Sequence, residues 1–119
     1  MSITSSELAI MDILWEAGDS IPAGDIIKTL QAEKNWDRST TRTLLKRLVE
    51  KGAVIQEKHQ KYQYRAAISR DSFARDQTKG LIDQLFRGSA RELVASLVDS
   101  SELTEDDLQE LRAYLMEKE

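Results

Sequence analysis

Asp37-Arg38-Ser39-Thr40-Thr41-Arg42-Thr43-Leu44-Leu45-Lys46-Arg47-Leu48-Val49-Glu50-Lys51-Gly52 is the stretch whose periodicity decides the fold. At 3.6 residues per turn, Thr41, Leu44, Leu45, Leu48 and Val49 fall within one arc of roughly 140°. The opposite arc carries Ser39, Thr40, Arg42, Thr43, Lys46, Arg47 and Glu50, so one face packs and the other is polar, basic and rich in hydroxyls. Asp37 can accept the orphaned N–H groups of a first turn. Gly52 can take the left-handed conformation that ends a helix at low steric cost. A helix is predicted over about 37–51.

Toward the C-terminus, Ala53 to Lys58 and Tyr62 to Ala66 are β-prone and flank His59-Gln60-Lys61, which predicts a hairpin, a wing at about 53–67. Toward the N-terminus, Thr4-Ser5-Ser6-Glu7 has the form of a capping box. Leu8, Met11 and Trp15 then share a stripe with Leu14 beside it, and Gly18-Asp19 stops the helix. Pro22 suits a first helical turn, where its missing N–H costs nothing, so a second helix is predicted from Pro22 to Ala32 with Ile26, Ile27 and Leu30 on its apolar face. Beyond the wing, Ser69 and Asp71 can open a fourth helix, Ser89-Ala90-Arg91-Glu92 another, and Thr104-Glu105-Asp106-Asp107 a last one with acids in its first turn.

The predicted class is therefore mainly α with a small β-wing. A winged helix-turn-helix unit over 1–68 is followed by a helical region over 69–119. Phe73, Leu81, Leu85, Phe86, Leu93, Leu97, Leu108, Leu111 and Leu115 supply more apolar surface than three short helices can bury alone, so this region is expected to dimerise.

The formal net charge is −4, but it is unevenly spread. From Arg38 to Arg65 eight bases face two acids, whereas from Ser69 onward twelve acids outnumber seven bases. A basic block in an acidic chain is a candidate phosphate-binding face. Arg, Lys, Ser and Thr also suit the donor and acceptor pattern of the DNA major groove. Ser39, Arg42, Thr43 and Lys46 are the expected base readers, and Thr40, Arg47, Lys51, Lys58, Lys61 and Arg65 the expected phosphate contacts. The competing reading is a winged-helix module that binds another protein, which would need apolar anchors exposed on the third helix.

Other chemistry is poorly provided for. The chain contains no cysteine, which excludes disulfides, thiolate metal sites and a thiol nucleophile and suits a reducing, cytoplasmic setting. No run approaches the ~20 apolar residues of a membrane span, and acids interrupt the first apolar stretch, unlike a secretory signal. No Gly-rich phosphate loop, nucleophile elbow or His-Glu-x-x-His pair is present, so no catalytic residue, metal or cofactor is expected. His59, the single histidine, lies at a polar hairpin tip without identifiable partners. Trp15 belongs with the core stripe, and Trp36 is either a hydrophobic staple or a phosphate contact, the staple being favoured. Glu7 and the acids from Glu102 to Glu110 are read as helix caps.

Leu8-Ala9-Ile10-Met11-Asp12-Ile13-Leu14-Trp15, the pattern Trp-x-x-x-Thr-x-x-Thr-Leu-Leu-x-Arg-Leu-x-x-Lys-Gly from Trp36 to Gly52, and Leu103-Thr104-Glu105-Asp106-Asp107-Leu108-Gln109-Glu110-Leu111 resemble the penicillinase-repressor (BlaI/MecI/CopY) family over nearly the whole chain. The resemblance implies a dimeric repressor that binds a palindromic double-stranded operator and whose C-terminal helices form the dimer interface. It does not extend to the devices that relieve repression. Ser96-Leu97 stands where members released by a signalling protease carry Asn-Phe, and the Cys-x-Cys motifs of copper-responsive members are absent. The inducing signal and any release factor stay open.

Overall fold

The computed structural model describes residues 1–118 and runs α1 (Ser5–Ala17), β1 (Ile21–Pro22), α2 (Ala23–Lys34), α3 (Arg38–Lys51), β2 (Val54–Lys58), β3 (Tyr62–Ala66), α4 (Arg70–Leu85), α5 (Ala90–Asp99) and α6 (Glu105–Lys118). It divides into two compact units, Met1–Phe73 and the part from Ala74 onward.

The first unit holds the core. Ile10, Met11 and Leu14 of α1, Ile26 and Leu30 of α2, Leu44, Leu45 and Leu48 of α3, and Ala53 and Val54 at the start of the hairpin form one buried cluster. On α3 the expected packing arc is observed, with Thr41, Leu44, Leu45 and Leu48 buried and Val49 half-buried against the cluster. Gly52, at φ 83°, closes that helix: its N–H donates to Val49 and the Ala53 N–H to Leu48, returning the chain into β2. On α1 the buried set is Glu7, Ile10, Met11 and Leu14; Leu8 and Trp15, expected on the central stripe, flank it half-buried. Trp36 also packs against the core.

The hairpin forms as expected, with Lys58 opposite Tyr62 and Val54 opposite Ala66. It gains an unpredicted third strand, giving the order β1-β3-β2, with Ile21 opposite Tyr64 and Pro22 opposite Gln63. Pro22 is therefore not in the first turn of the second helix. It is extended (φ −64°, ψ 147°), and α2 begins one residue later and runs on to Lys34. An edge strand suits a residue that cannot donate to a ladder.

Trp15 ties the end of the first unit down. Its indole N–H donates to the Ile68 carbonyl at 2.9 Å, and its ring meets Phe73 at 5.9 Å and the Arg70 guanidinium at 5.4 Å. Phe73 is the last residue of the first unit.

In the second unit, Thr104 and Asp107 exchange side-chain to backbone bonds as a capping box requires, whereas at Ser89 only half of the box forms: its hydroxyl accepts the Glu92 N–H, but its own N–H donates to the Phe86 carbonyl. No described residue of α4, α5 or α6 is buried. Leu85, Leu115 and Met116 are between 62% and 68% exposed.

Candidate nucleic-acid interface

The polar arc of α3 is open to solvent from end to end: Ser39, Thr40, Arg42, Thr43, Lys46, Arg47 and Glu50 are all exposed. Its first turn is held by one carboxylate oxygen. Asp37 Oδ1 accepts the Thr40 N–H at 2.8 Å, the Thr40 hydroxyl at 2.8 Å and the Ser39 hydroxyl at 2.9 Å. The Thr40 N–H, the Thr40 hydroxyl and the Ser39 hydroxyl hold the Asp37 carboxyl below its ordinary range. This cap is present above the ordinary carboxylate pKa and is lost as pH falls through the lowered value. Ser39 and Thr40 thus have their hydroxyl protons committed to the cap, whereas Arg42, Thr43, Lys46 and Arg47 point no charge or hydroxyl into a hydrogen bond within the described residues.

Two of the expected phosphate contacts are otherwise engaged. Lys51 turns toward α1, where Nζ lies 2.5 Å from Glu7 Oε1 and 2.8 Å from the Ser2 carbonyl. Glu7 is 1% exposed, so a buried carboxylate requires this cation. Burial pushes the Glu7 carboxyl up, but the Lys51 ammonium and the Thr4 N–H and hydroxyl outweigh it and hold the group below its ordinary value. Arg65 Nε lies 2.6 Å from Glu57 Oε1, which also accepts the Ser20 hydroxyl at 3.0 Å. Arg65, and to a lesser extent Ser20, hold the Glu57 carboxyl low. His59 Nε2 sits 3.5 Å from the other oxygen of Glu57. In the free protein both cations are thus paired, Lys51 with a buried carboxylate and Arg65 with a partly exposed one.

Lys58 and Lys61 remain on the wing without a carboxylate partner among the described residues, Lys58 lying 5.6 Å from the centre of the Tyr62 ring. A cavity of about 430 Å³ brings part of the wing together with the helices; Pro22, Ala23, Gly24, Arg38, Arg42, Lys61 and Tyr62 line it. Arg42, an expected base reader, and Lys61, an expected phosphate contact, therefore line the same cavity as Arg38, which the sequence offered only as part of a charge count. Arg42 also acts on β3: burial raises the Tyr64 hydroxyl pKa, and the Arg42 charge opposes that rise. Among the described residues no group of three or more His, Cys, Asp or Glu is placed to hold a metal ion, and no helix is long and apolar enough to cross a membrane.

Of the residues expected to dimerise, Phe73 lies in the first unit against Trp15. Leu81, Leu85, Leu111 and Leu115 are exposed, and Phe86, Leu93, Leu97 and Leu108 half-buried. Val94, Val98, Tyr114 and Met116 add exposed apolar surface that the expected set omitted.

Three helices, a three-stranded sheet with a hairpin wing, and a third helix that packs by one face and presents cations on the other define a winged helix-turn-helix protein. The chain belongs to the penicillinase repressor family, whose profile matches residues 3–117. The methicillin resistance regulatory protein MecI of Staphylococcus aureus strain N315 is 32% identical over 117 residues, covering 98% of this chain and 94% of that protein. The solved DNA-binding domain of the repressor BlaI is 31% identical with a TM-score of 0.54, covering 58% of this chain and 84% of that one. The monomeric form of Bacillus licheniformis BlaI, solved in complex with the blaP half-operator, is 29% identical with a TM-score of 0.54, over 60% of this chain and 87% of that one.

Proposed function

We propose that this protein is a transcriptional repressor that inserts α3 into the major groove of operator DNA, straddles the adjacent backbone with its wing, and binds as a homodimer through α4 to α6. The observation that carries the reading is the exposed arc of α3, on which Arg42, Thr43, Lys46 and Arg47 stand free opposite the face that packs on the core. Membership of a family whose relatives are named as repressors supports it. The protein-binding alternative needs apolar anchors on the same helix, and no exposed residue of α3 is apolar. No catalytic role is proposed.

Arg42, Thr43 and Lys46 are assigned to base edges, with Ser39 at the helix start. Replacing Arg42 by Ala is expected to cost about 1–3 kcal/mol of operator affinity and to relax preference at one base position. Fluorescence polarisation against a panel of single-position operator variants reads both quantities. Unchanged affinity and unchanged preference would remove Arg42 from the role.

Arg47, Lys58 and Lys61 are assigned to phosphates, which position the protein without specifying sequence. Arg47→Gln is expected to weaken binding to operator and to random duplex by the same factor and to flatten the dependence of log K on log salt by about one unit. A loss confined to operator DNA contradicts that assignment.

A further inference from the structure

The cavity between the start of α2, the start of α3 and the tip of the wing is not explained by packing. It is lined by Pro22, Ala23, Gly24 and Tyr62 together with three cationic side chains, Arg38, Arg42 and Lys61. None of the three makes an ion pair with any described carboxylate, although Lys51, Arg65 and Arg70 of the same unit all do. A concavity lined by cationic side chains has a positive potential that favours an anion there. At about 430 Å³ it is large enough for a phosphate group and the sugar attached to it.

We propose that this cavity seats one backbone phosphodiester of the bound DNA, held jointly by Arg38 and Lys61, with the sugar against Tyr62 and Pro22. The inference rests on the DNA-binding reading above and deepens it. Arg42, which lines the same cavity from the base-reading face of α3, then fixes the register: the seated phosphate flanks the first base pair that α3 reads. A side chain introduced at Gly24 enters open space, since a Cβ placed there meets no atom within 4 Å.

Joint holding of a single phosphate has a signature that two separate contacts lack. The salt slope counts phosphates neutralised, not cations supplied. With a random-sequence duplex as the probe, Arg38→Gln and Lys61→Gln should each weaken binding several-fold and leave the slope within roughly half a unit of the parent, because the other cation still neutralises the phosphate. The double variant should lower it by about one unit. Gly24→Glu sets a carboxylate at the seat in a helix first turn that favours acids. It should weaken binding to the same duplex at least tenfold with no fall in melting temperature.

Slopes that drop by about one unit in each single variant and about two in the double would overturn joint holding. A double variant, or Gly24→Glu, that binds like the parent would overturn the seat itself. If the parent binds neither random nor operator duplex, the DNA-binding reading fails and takes the seat with it. A parent that binds while these variants are unchanged sinks the seat alone.

Discussion

Replacing Lys51 by Ala is expected to destabilise the winged-helix unit by about 3 kcal/mol, near the lower end of the cost of breaking a buried ion pair, because Lys51 is one-third exposed and Glu7 almost wholly enclosed. The loss comes from the carboxylate left behind. Among the described residues Glu7 Oε2 has no hydrogen-bond partner, and without Lys51 the carboxylate keeps only its contacts with Thr4. Glu7→Leu combined with Lys51→Met removes both charges together and should recover most of the stability. Urea unfolding of the parent, the single variant and the pair measures this directly.

The pH dependence carries an independent sign. In the parent, the Glu7 carboxyl is held below its ordinary value, so its contribution is complete above the unfolded pKa and is lost as pH falls through the folded one. In Lys51→Ala both lowering contributions of the ammonium are gone while burial stays, so the folded pKa is higher than in the parent. The penalty is then full at neutral pH and fades as acid protonates Glu7. The stability gap between parent and variant should therefore shrink on acidification. A gap that is constant from neutral pH down through the carboxylate range would mean that the Glu7 charge is not what Lys51 serves.

The Lys51 result also marks where sequence reading runs out. The faces of α3, its Asp37 cap and its Gly52 stop are all set by residues within a few positions of one another, and each was legible from periodicity and capping chemistry. The Glu7–Lys51 pair joins residues 44 positions apart, and the capping box at Thr4 already gave Glu7 a sufficient local explanation. A signal was present nonetheless. Glu7 lies three, four and seven positions before Ile10, Met11 and Leu14, on the buried stripe itself, and an acid there requires a cation. The β1 strand had no comparable signal: two residues show no alternation, and their partners Tyr64 and Gln63 lie beyond two helices. Arg38 escaped for a similar reason, because only the folded chain brings it to the same cavity as Lys61.

Ending the chain after Phe73 is expected to lower affinity for a complete operator by roughly 100- to 10,000-fold while leaving half-site affinity nearly unchanged, because the second head of a linked pair binds at high effective concentration. The cut follows Phe73 and not Ile68, since Phe73, Arg70 and the Ile68 carbonyl all hold Trp15. Among the described residues every buried hydrophobic one lies on the retained side, so the shortened chain keeps its core. What it loses is the apolar surface of Leu81, Leu85, Val94, Val98, Leu111, Tyr114, Leu115 and Met116, each at least 40% exposed in the single chain. Surface of that kind marks an interaction face. A two-fold pairing through it would present two α3 helices to half-sites about 10 base pairs apart or a small multiple of that, which makes the operator a pseudo-palindrome. Leu111→Asp with Leu115→Asp in the full chain is the companion variant, expected to be monomeric in sedimentation and as weak as the truncation on a complete operator. A full-length protein that sediments as a monomer at micromolar concentration, both alone and on operator DNA, refutes the pairing and with it the palindrome.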